Sequence, residues 1–185
     1  MAVYYQTHYE SPLGQITLAS DGKALKGLWI RNQKYFGSSV KAEMMEDHSL
    51  PVFLAAKQWL DRYFAGERPE ISKLPLAPEG SEFRREVWKI LCRIPYGETI
   101  TYGEIAKQIA EIFHKPRMSA QAVGGAVGHN PISIIIPCHR VVGTGGNLTG
   151  YAGGLDLKVR LLELEGADMS GFYLPKDKAE HSKTK

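Results

Sequence analysis

The segment covering residues 134–143, IIIPCHRVVG, constrains the fold more strongly than any other part of the sequence. Its three consecutive isoleucines have β-branched side chains, which favour extended backbone, and they predict a buried strand over residues 134–136. Pro137 removes a backbone donor and ends this run, so Cys138 directly follows a conformationally rigid residue. We therefore expect Cys138 to be held at the end of a buried strand beside a cavity, as covalent cysteine chemistry requires.

The overall composition limits the classes of function. A chain of 185 residues can form one medium domain or two small ones. It has no apolar run of about 18 residues that could span a membrane, and its start, MAVYYQTHYE, does not resemble a secretory signal. Two cysteines without a Cys-x-x-Cys pair, and histidines without ligand spacing, predict a cytoplasmic protein with no disulfide framework, metal or other cofactor. The net charge of +3 is compatible with a polyanionic partner but does not require one.

The first part of the chain predicts a small α/β unit. Apolar segments between residues 3 and 30 are separated by Ser-Pro-Leu-Gly and by Asp21-Gly22, a pattern typical of an antiparallel meander. Residues 31–49 are polar and mixed, which predicts a loop. Pro51 is expected to begin an amphipathic helix that Gly66 ends. Three prolines between residues 68 and 80 indicate a linker between two units.

The second part predicts a series of capped helices. Ser81 can cap a helix that extends to about residue 94, and Thr101-x-x-Glu104 is a capping box for the next helix. Ser119 can cap a third, AQAVGGAVG, whose two adjacent glycines each cost about 1 kcal/mol relative to alanine. A helix with such small side chains must gain something that offsets this cost. It could enter a DNA groove as part of a helix-turn-helix, or it could pack tightly against another helix.

Cys138 requires activation if it is a nucleophile. A free thiol has a pKa of about 8.5 and is only slightly ionised at pH 7. His139 is adjacent, but neighbouring side chains in extended backbone point to opposite sides, so a turn or a bridging water is needed. Glu165, at the end of a final helix, can orient the imidazole, and a cation there would offset the unfavourable helix dipole. A small buried hydrophobe is the alternative for Cys138, and it is our interpretation of Cys92.

Together these features resemble one protein family. The motif Ile-Pro-Cys-His-Arg-Val-Val is preceded by Ala-Val-Gly-Gly-Ala and Asn-Pro, and it is followed by Gly-Tyr-x-Gly-Gly-Leu and Glu-Gly. Over residues 81–166 the chain resembles the O6-alkylguanine-DNA alkyltransferases (methylated-DNA–protein-cysteine methyltransferases). The resemblance implies an α+β protein with a ribonuclease H-like α/β domain and linker over residues 1–80. A mainly helical, winged-helix-like domain with a helix-turn-helix would cover residues 81–170, and residues 171–185 are expected to be a flexible tail.

The resemblance also implies DNA repair by direct damage reversal. Cys138 would accept a methyl or other alkyl group from O6-alkylguanine, with O4-alkylthymine as a second candidate substrate. His139 would take the thiol proton through a water molecule, Glu165 would hold that histidine, and Asn130 would pin the turn before the active site. Tyr102 would donate a hydrogen bond to the departing guanine. Because no group in this set could remove an alkyl group from sulfur, each molecule would act once.

Double-stranded DNA is the partner that the resemblance implies, bound by a monomer through the minor groove. The alkylated base would be rotated out of the duplex, since its O6 atom is unreachable inside the stack. The implied binding residues are Ser119, Ala120 and Gln121 on the recognition helix, and Tyr151 with the backbone of Val141 and Ala152 around the guanine. Arg140 is grouped with them, although we expect it to tie segments together rather than take part in the chemistry.

The sequence departs from the family pattern at Gln121. The family usually has an arginine here, which fills the gap left by the rotated base. Our hypothesis is that Gln121 replaces it, with Lys115 or Arg117 supplying a phosphate contact.

Two other classes of protein share some of these features. A Cys-His-Glu hydrolase or acyltransferase would have the same residue types but would turn over. A DNA-binding module without chemistry would keep the helix pair but would not need Cys138.

Overall fold

The N-terminal part of the protein is built on a four-stranded sheet. A computed structural model describes residues 2–175, so residues 176–185 of the predicted tail lie outside the described part. The strands are β1 (Tyr4–Ser11), β2 (Gly14–Ser20), β3 (Leu25–Ile30) and β4 (Met44–Glu46). Their order is β3-β2-β1-β4, and β2 pairs antiparallel with both β1 and β3. The predicted antiparallel meander is therefore confirmed.

Strand β4 lies in the region that was predicted to be a loop, and that part of the prediction was wrong. Its 3 residues pair in parallel with the start of β1, with Met44 opposite Tyr4. So short an edge strand has too few alternating positions to leave a periodic pattern in the sequence.

Helix α1 (Pro51–Phe64) packs against β1 and β2. Proline occupies its first turn, and Gly66 follows its C-terminal end with a φ of 84°, as the sequence predicts. Its apolar face is buried and consists of Val52, Phe53, Ala56, Trp59, Leu60 and Tyr63. Tyr63, in the last turn, reaches the C-terminal half of the protein.

The segment between residues 68 and 80 connects the two halves without separating them. The amide of Leu25 donates to the carbonyl of Pro75 at 2.7 Å, and the amide of Ala77 donates to the carbonyl of Leu25 at 2.9 Å. These two hydrogen bonds hold the segment to the first residue of β3. One continuous apolar cluster runs from Ile16 in the sheet to Leu161 in the last helix.

The C-terminal half contains four helices: α2 (Glu82–Leu91), α3 (Tyr102–Ile112), α4 (Ala120–Gly128) and α5 (Leu155–Leu164). The predicted caps of the first three are confirmed, since the side chains of Ser81, Thr101 and Ser119 each accept a backbone hydrogen bond from their own helix. Two short parallel strands, β5 (Ile100–Thr101) and β6 (Val141–Val142), join the start of α3 to the segment after Cys138.

Helix α4 is packed on one side and open on the other. Val123, Ala126 and Val127 are buried, and the indole nitrogen of Trp88 donates to the carbonyl of Ala126 at 2.9 Å. A Cβ atom added at Gly125 would meet nothing within 4 Å. Tight packing against other helices therefore does not explain why α4 is so slim on its open side.

The three isoleucines before Cys138 form a buried turn, so the predicted strand is wrong. Ile134, Ile135 and Ile136 are at most 1% exposed, but Ile134 has a φ of 72° and the amide of Ile136 donates to the carbonyl of Ile132 at 3.1 Å. Positive φ is unfavourable for a β-branched residue and persists only where surrounding contacts impose it. The apolar sequence correctly indicated that these residues are buried. Their backbone conformation is imposed by tertiary contacts instead of by local β propensity.

Within residues 2–175, no helix is both long and apolar enough to cross a bilayer. In the same part of the chain, no group of three or more His, Cys, Asp or Glu side chains is arranged to hold a metal ion.

Candidate active site

Cys138 is the first residue of a short 3₁₀ turn, Cys138–Arg140, that follows Pro137. It is 3% exposed and packs against the main apolar cluster. The turn replaces the extended backbone in which Cys138 and His139 would point to opposite sides. A turn at this point is one of the two arrangements, with a bridging water as the other, that we expected to let Cys138 and His139 act together.

The surroundings of Cys138 combine a penalty for the thiolate with groups that stabilise it. Burial raises the pKa of the thiol above its ordinary value. The side-chain amide of Asn130, the charge of Lys158 and the backbone N–H groups of residues 138 and 139 act in the opposite direction. Because the net shift is upward, the resting thiol is protonated and reacts as a nucleophile only if a base takes its proton.

His139 is a suitable base. Its Nε2 atom lies 2.9 Å and 3.1 Å from the two carboxylate oxygens of Glu165, and both side chains are fully buried. A carboxylate only accepts hydrogen bonds, so Nε2 carries the proton and Nδ1 has the free lone pair. Burial lowers the pKa of His139. Its buried Nδ1 atom has no hydrogen-bond partner among residues 2–175. The imidazole is therefore neutral and has an acceptor available.

Arg140 supplies the cation that Glu165 needs at the end of α5. Its Nη2 and Nε atoms lie 2.6 Å and 2.7 Å from Glu165 Oε1, and Nη1 donates to the carbonyl of Ile94 at 2.6 Å. Burial by itself raises the pKa of Glu165, but the hydrogen bonds and charges of His139 and Arg140 outweigh it and hold that pKa below its usual value. Glu165 is therefore ionised, and Arg140 fixes its position.

Tyr63, on helix α1 of the N-terminal half, is near enough to Glu165 for the carboxylate charge to act on its hydroxyl. Its hydroxyl is buried, and burial followed by the negative charge of Glu165 raises its pKa. The ring stacks on Trp59 with centroids 5.4 Å apart and meets Tyr96 edge-on at 6.0 Å. Sequence reasoning missed this residue, because on α1 it is one more member of an apolar face.

Lys158 is a second functional candidate that the sequence analysis missed. Its side chain is 0% exposed, and its ammonium group donates to the carbonyls of Val141 and of Thr149, the latter at 3.0 Å. Burial lowers its pKa to about 8, and the charge of Cys138 opposes that shift. One signal was available in the sequence, since Lys158 lies on the same helix face as the buried Leu161 and Leu162.

Asn130 holds the turn that precedes the cysteine. Its side-chain nitrogen donates to the carbonyl of Ile136 at 2.8 Å, and its side-chain oxygen accepts from the amide of Ile132 at 3.0 Å. The residue is 4% exposed, so these bonds are shielded from water. Asn130 thus connects the end of α4 to the backbone that presents Cys138.

Two tyrosines are near enough to Cys138 for its charge to act on their hydroxyl groups. The hydroxyl of Tyr102 donates to the carbonyl of Thr149 at 2.9 Å, and burial followed by the charge of Cys138 raises its pKa to about 12. The hydroxyl of Tyr151 is buried without a hydrogen-bond partner among residues 2–175, and burial followed by the charge of Cys138 raises its pKa as well. Both phenols are therefore protonated donors.

A cleft of about 310 Å³ opens beside these groups. Its lining comes from the open side of α4, from the loop after β3 and from the loop before α5: Lys34, Tyr35, Gly124, Gly125, Gly128, His129, Gly150, Tyr151 and Ala152. Val141 is not among these lining residues, and its carbonyl accepts a hydrogen bond from Lys158. That carbonyl keeps a second lone pair for a ligand.

Three other predicted binding residues, Ser119, Ala120 and Gln121, lie at the exposed start of α4 and are not among the residues that line the cleft. The hydroxyl of Ser119 accepts from the amide of Ala122 at 3.2 Å. Ala120 and Gln121 are exposed, and so is Arg117 in the preceding loop. Cys92 is half-buried, and burial raises its pKa to about 11, so its thiol is protonated at neutral pH.

Comparison with family models gives two matches that together span nearly the whole chain. Residues 3–78 match the 6-O-methylguanine DNA methyltransferase, ribonuclease-like domain, and residues 82–167 match the 6-O-methylguanine DNA methyltransferase, DNA binding domain.

Curated proteins show the same similarity. The chain is 42% identical over 165 residues to the methylated-DNA–protein-cysteine methyltransferase of Haemophilus influenzae, covering 89% of this chain and 88% of that protein. It is 49% identical over 164 residues to the protein of the same name from Methanosarcina barkeri, covering 88% and 97%.

Solved structures agree as well. The O6-methylguanine methyltransferase of Mycobacterium tuberculosis matches with a TM-score of 0.75 and 44% identity, over 92% of this chain and 96% of that one. A second structure of the M. tuberculosis protein, in complex with DNA, matches with a TM-score of 0.73 over 91% and 94%.

Proposed function

The chain belongs to the 6-O-methylguanine DNA methyltransferase family, and we propose that Cys138 is the residue that accepts the alkyl group. The protein is a methylated-DNA–protein-cysteine methyltransferase, which repairs DNA by alkyl transfer to a cysteine. One observation supports Cys138 above all others. It is the cysteine that begins the turn carrying His139, whose imidazole is held by a buried carboxylate and has a free acceptor nitrogen.

The proposed reaction begins with proton transfer. The thiol proton moves to Nδ1 of His139 through a water molecule, and the imidazolium that forms is stabilised by Glu165. The thiolate then attacks the alkyl carbon of O6-alkylguanine. A carbon–sulfur bond forms as the bond between that carbon and O6 breaks, and the electron pair of the broken bond stays with the guanine.

The leaving guanine requires a hydrogen-bond donor as its negative charge develops. Tyr102 can fill this role, because its hydroxyl is a protonated donor on which the charge of Cys138 acts. In the structure that hydroxyl donates to the carbonyls of Thr149 and Gly150, so it would exchange those acceptors for the base. The carbonyl of Val141 and the backbone of Ala152 would read the guanine edge, and Tyr151 would form one wall.

Irreversibility follows from the same set of groups. A thioether has no leaving group that His139 or Tyr102 could activate, so the alkylated protein would be spent after one reaction. O4-alkylthymine stays a second candidate substrate.

The open side of α4 supports DNA docking through the minor groove. Its glycines present backbone to solvent, which lets a helix approach the duplex closely. The alkylated nucleotide would be rotated into the cleft, with Ser119, Ala120 and Gln121 at the gap that it leaves. We propose that a monomer binds in this way in the cytoplasm. We also propose the domain boundaries given above, with a ribonuclease H-like first domain and a winged-helix-like second domain.

The test uses intact mass after incubation with a duplex oligonucleotide that contains O6-methylguanine. We expect one added methyl group per protein molecule, located at Cys138 by peptide mapping. The Cys138→Ala variant should gain none, and Cys92→Ala should gain one as the unsubstituted protein does. Transfer that persists in Cys138→Ala, or turnover of the oligonucleotide beyond one equivalent, would contradict the proposal.

A further inference from the structure

The loop after β3 belongs to the N-terminal half of the protein but lies on the candidate active site. We call its residues 33–35 the strap. Gln33 anchors it, because its side-chain oxygen accepts from the amide of Ile30 at 2.8 Å and from the hydroxyl of Ser133 at 3.1 Å. Gln33 is 6% exposed and Ser133 is 1% exposed. The strap is thus tied through a buried bond to the turn that presents Cys138.

The next two residues of the strap contact two other segments of the cleft. The backbone amide of Lys34 donates to the carbonyl of Ala152 at 2.8 Å. The ring of Tyr35 stacks on His129 with centroids 4.0 Å apart and planes 23° from parallel. Three consecutive residues therefore hold three separate parts of the C-terminal half together at the mouth of one cleft.

The backbone takes a positive φ at the residue before the strap and again at its last residue. Asn32 and Tyr35 have φ values of 65° and 61°. Asparagine tolerates this region, but a tyrosine in it is uncommon and must be held by its surroundings. This conformation places a large aromatic ring, 40% exposed, against the cleft instead of against the sheet.

We propose that the strap completes the mouth of the nucleotide pocket, where Tyr35 packs against the rotated nucleotide and Lys34 neutralises its phosphate. This inference rests on the proposed function. Tyr35 and Lys34 line the same cleft as Tyr151, the residue that forms one wall of the pocket in the proposed function. The N-terminal half would therefore bind the substrate directly, in addition to supporting the C-terminal half.

The chemistry of the strap suits a nucleotide. An aromatic ring is a sequence-tolerant surface on which a base can stack, and such stacking is commonly worth a factor of roughly 5 to 150 in binding. The ammonium group of Lys34 lies over the Tyr35 ring, 5.1 Å from its centroid, so the positive charge and the aromatic surface form one cation–π pair. An extrahelical nucleotide has both a base and a phosphate to place there.

The first test separates binding of the rotated nucleotide from binding of the duplex. Single-turnover transfer from the O6-methylguanine duplex is measured over a range of DNA concentrations, with the full chain. Loss of the Tyr35 ring should lower the population of the rotated state, and therefore the rate at saturating DNA, by at least about fivefold. The concentration of DNA that gives half this rate should change less than twofold.

Tyr35→Gly is the main variant, because glycine accepts the positive φ at this position and keeps the strap path. Tyr35→Phe retains the ring and should keep the original rate. Phe36→Ala is the matched control, since Phe36 is an exposed aromatic of the same loop that packs on Trp29 and does not line the cleft. A saturating rate for Tyr35→Gly equal to that of Phe36→Ala would overturn the inference.

The second test concerns the charge of Lys34. The Lys34→Gln variant should show a smaller dependence of DNA affinity on salt, with the slope of log K against log salt reduced by about one. Lys23→Gln removes the same charge at the opposite end of β3, about 20 Å along the strand, and should leave the slope unchanged. Equal slopes for the two variants would overturn the role of Lys34.

Failure of the proposed function has a different signature. If the unsubstituted protein gains no methyl group, the proposed function is wrong and the strap assignment is overturned with it. If the unsubstituted protein is methylated at Cys138 and the strap variants behave as their controls do, the strap assignment alone is overturned.

Discussion

Replacing Glu165 by glutamine should slow alkyl transfer far more than it weakens DNA binding. The carboxylate lies 2.9 Å and 3.1 Å from Nε2 of His139 and 2.6 Å from Nη2 of Arg140, and it is fully buried. The neutral amide is close to it in shape and can still accept a hydrogen bond. It no longer stabilises the imidazolium that forms when the thiol proton leaves, so the barrier to transfer rises.

The size of the effect follows from this geometry. A hydrogen bond to a charged group is worth about 1.5–3 kcal/mol, and about 1.4 kcal/mol corresponds to a factor of ten in rate. We therefore expect the rate at saturating DNA to fall by a factor of about 10 to 150. Arg140 also loses its counterion, and breaking a buried ion pair costs about 3–5 kcal/mol of folding free energy. Because the amide keeps one acceptor, the loss of stability should be at the lower end of that range.

The assay combines single-turnover methyl transfer, followed by intact mass, with urea unfolding. Glu163→Gln is the matched control, because Glu163 is an exposed carboxylate of the same helix. Its transfer rate and its unfolding free energy should stay close to those of the unsubstituted protein. If Glu165→Gln loses stability but transfers at the rate of this control, Glu165 has a purely structural role and the reasoning is refuted.

Two further predictions concern Lys158 and Gln121. Burial lowers the pKa of Lys158 from 10.5 to about 8, so the unfolded chain binds this proton more tightly than the folded protein does. The unsubstituted protein should therefore gain stability relative to Lys158→Met as the pH rises from about 8 to about 10.5, and this gain should be lost as the pH falls through 8. Urea unfolding at pH 7 and pH 10 measures this, and a difference that does not depend on pH would contradict it. For Gln121, we expect tighter DNA binding and faster repair from Gln121→Arg, which adds a charge at the exposed start of α4, and slower repair from Gln121→Ala. Equal affinities and rates for the unsubstituted protein and both variants would show that position 121 does not contact the DNA.

Much of the framework could be predicted from local sequence patterns. The caps at Ser81, Thr101 and Ser119, and the proline at the start of α1, act on backbone groups only a few residues away. Such signals are readable because the atoms that interact are close in sequence. The antiparallel meander was predictable for the same reason, since its turns lie between the strands that they join.

The segment before Cys138 shows where local reasoning fails. Three β-branched residues indicated a strand, and their burial was confirmed, but the backbone forms a turn in which Ile134 has a positive φ. The side chain of Asn130 and the backbone pairing of Ile132 with Leu28 stabilise that turn. Asn130 lies only a few residues before the isoleucines, but Leu28 belongs to β3 and lies outside any window of sequence around them. The prediction therefore failed at a position where tertiary contacts outweigh propensity.

Sequence alone determined which side chains are available for the chemistry: a cysteine after a proline, an adjacent histidine and a glutamate at the end of a helix. Only the tertiary structure decided how they face one another. The 3₁₀ turn at Cys138, the lone pair left on Nδ1 of His139 and the buried charge of Lys158 all depend on contacts between distant segments. The strap is the clearest case. The sequence predicts only a polar loop for residues 33–35, whereas in the folded protein Lys34 and Tyr35 line the cleft. Burial and long-range hydrogen bonding set these environments, and neither has a local signature in the chain.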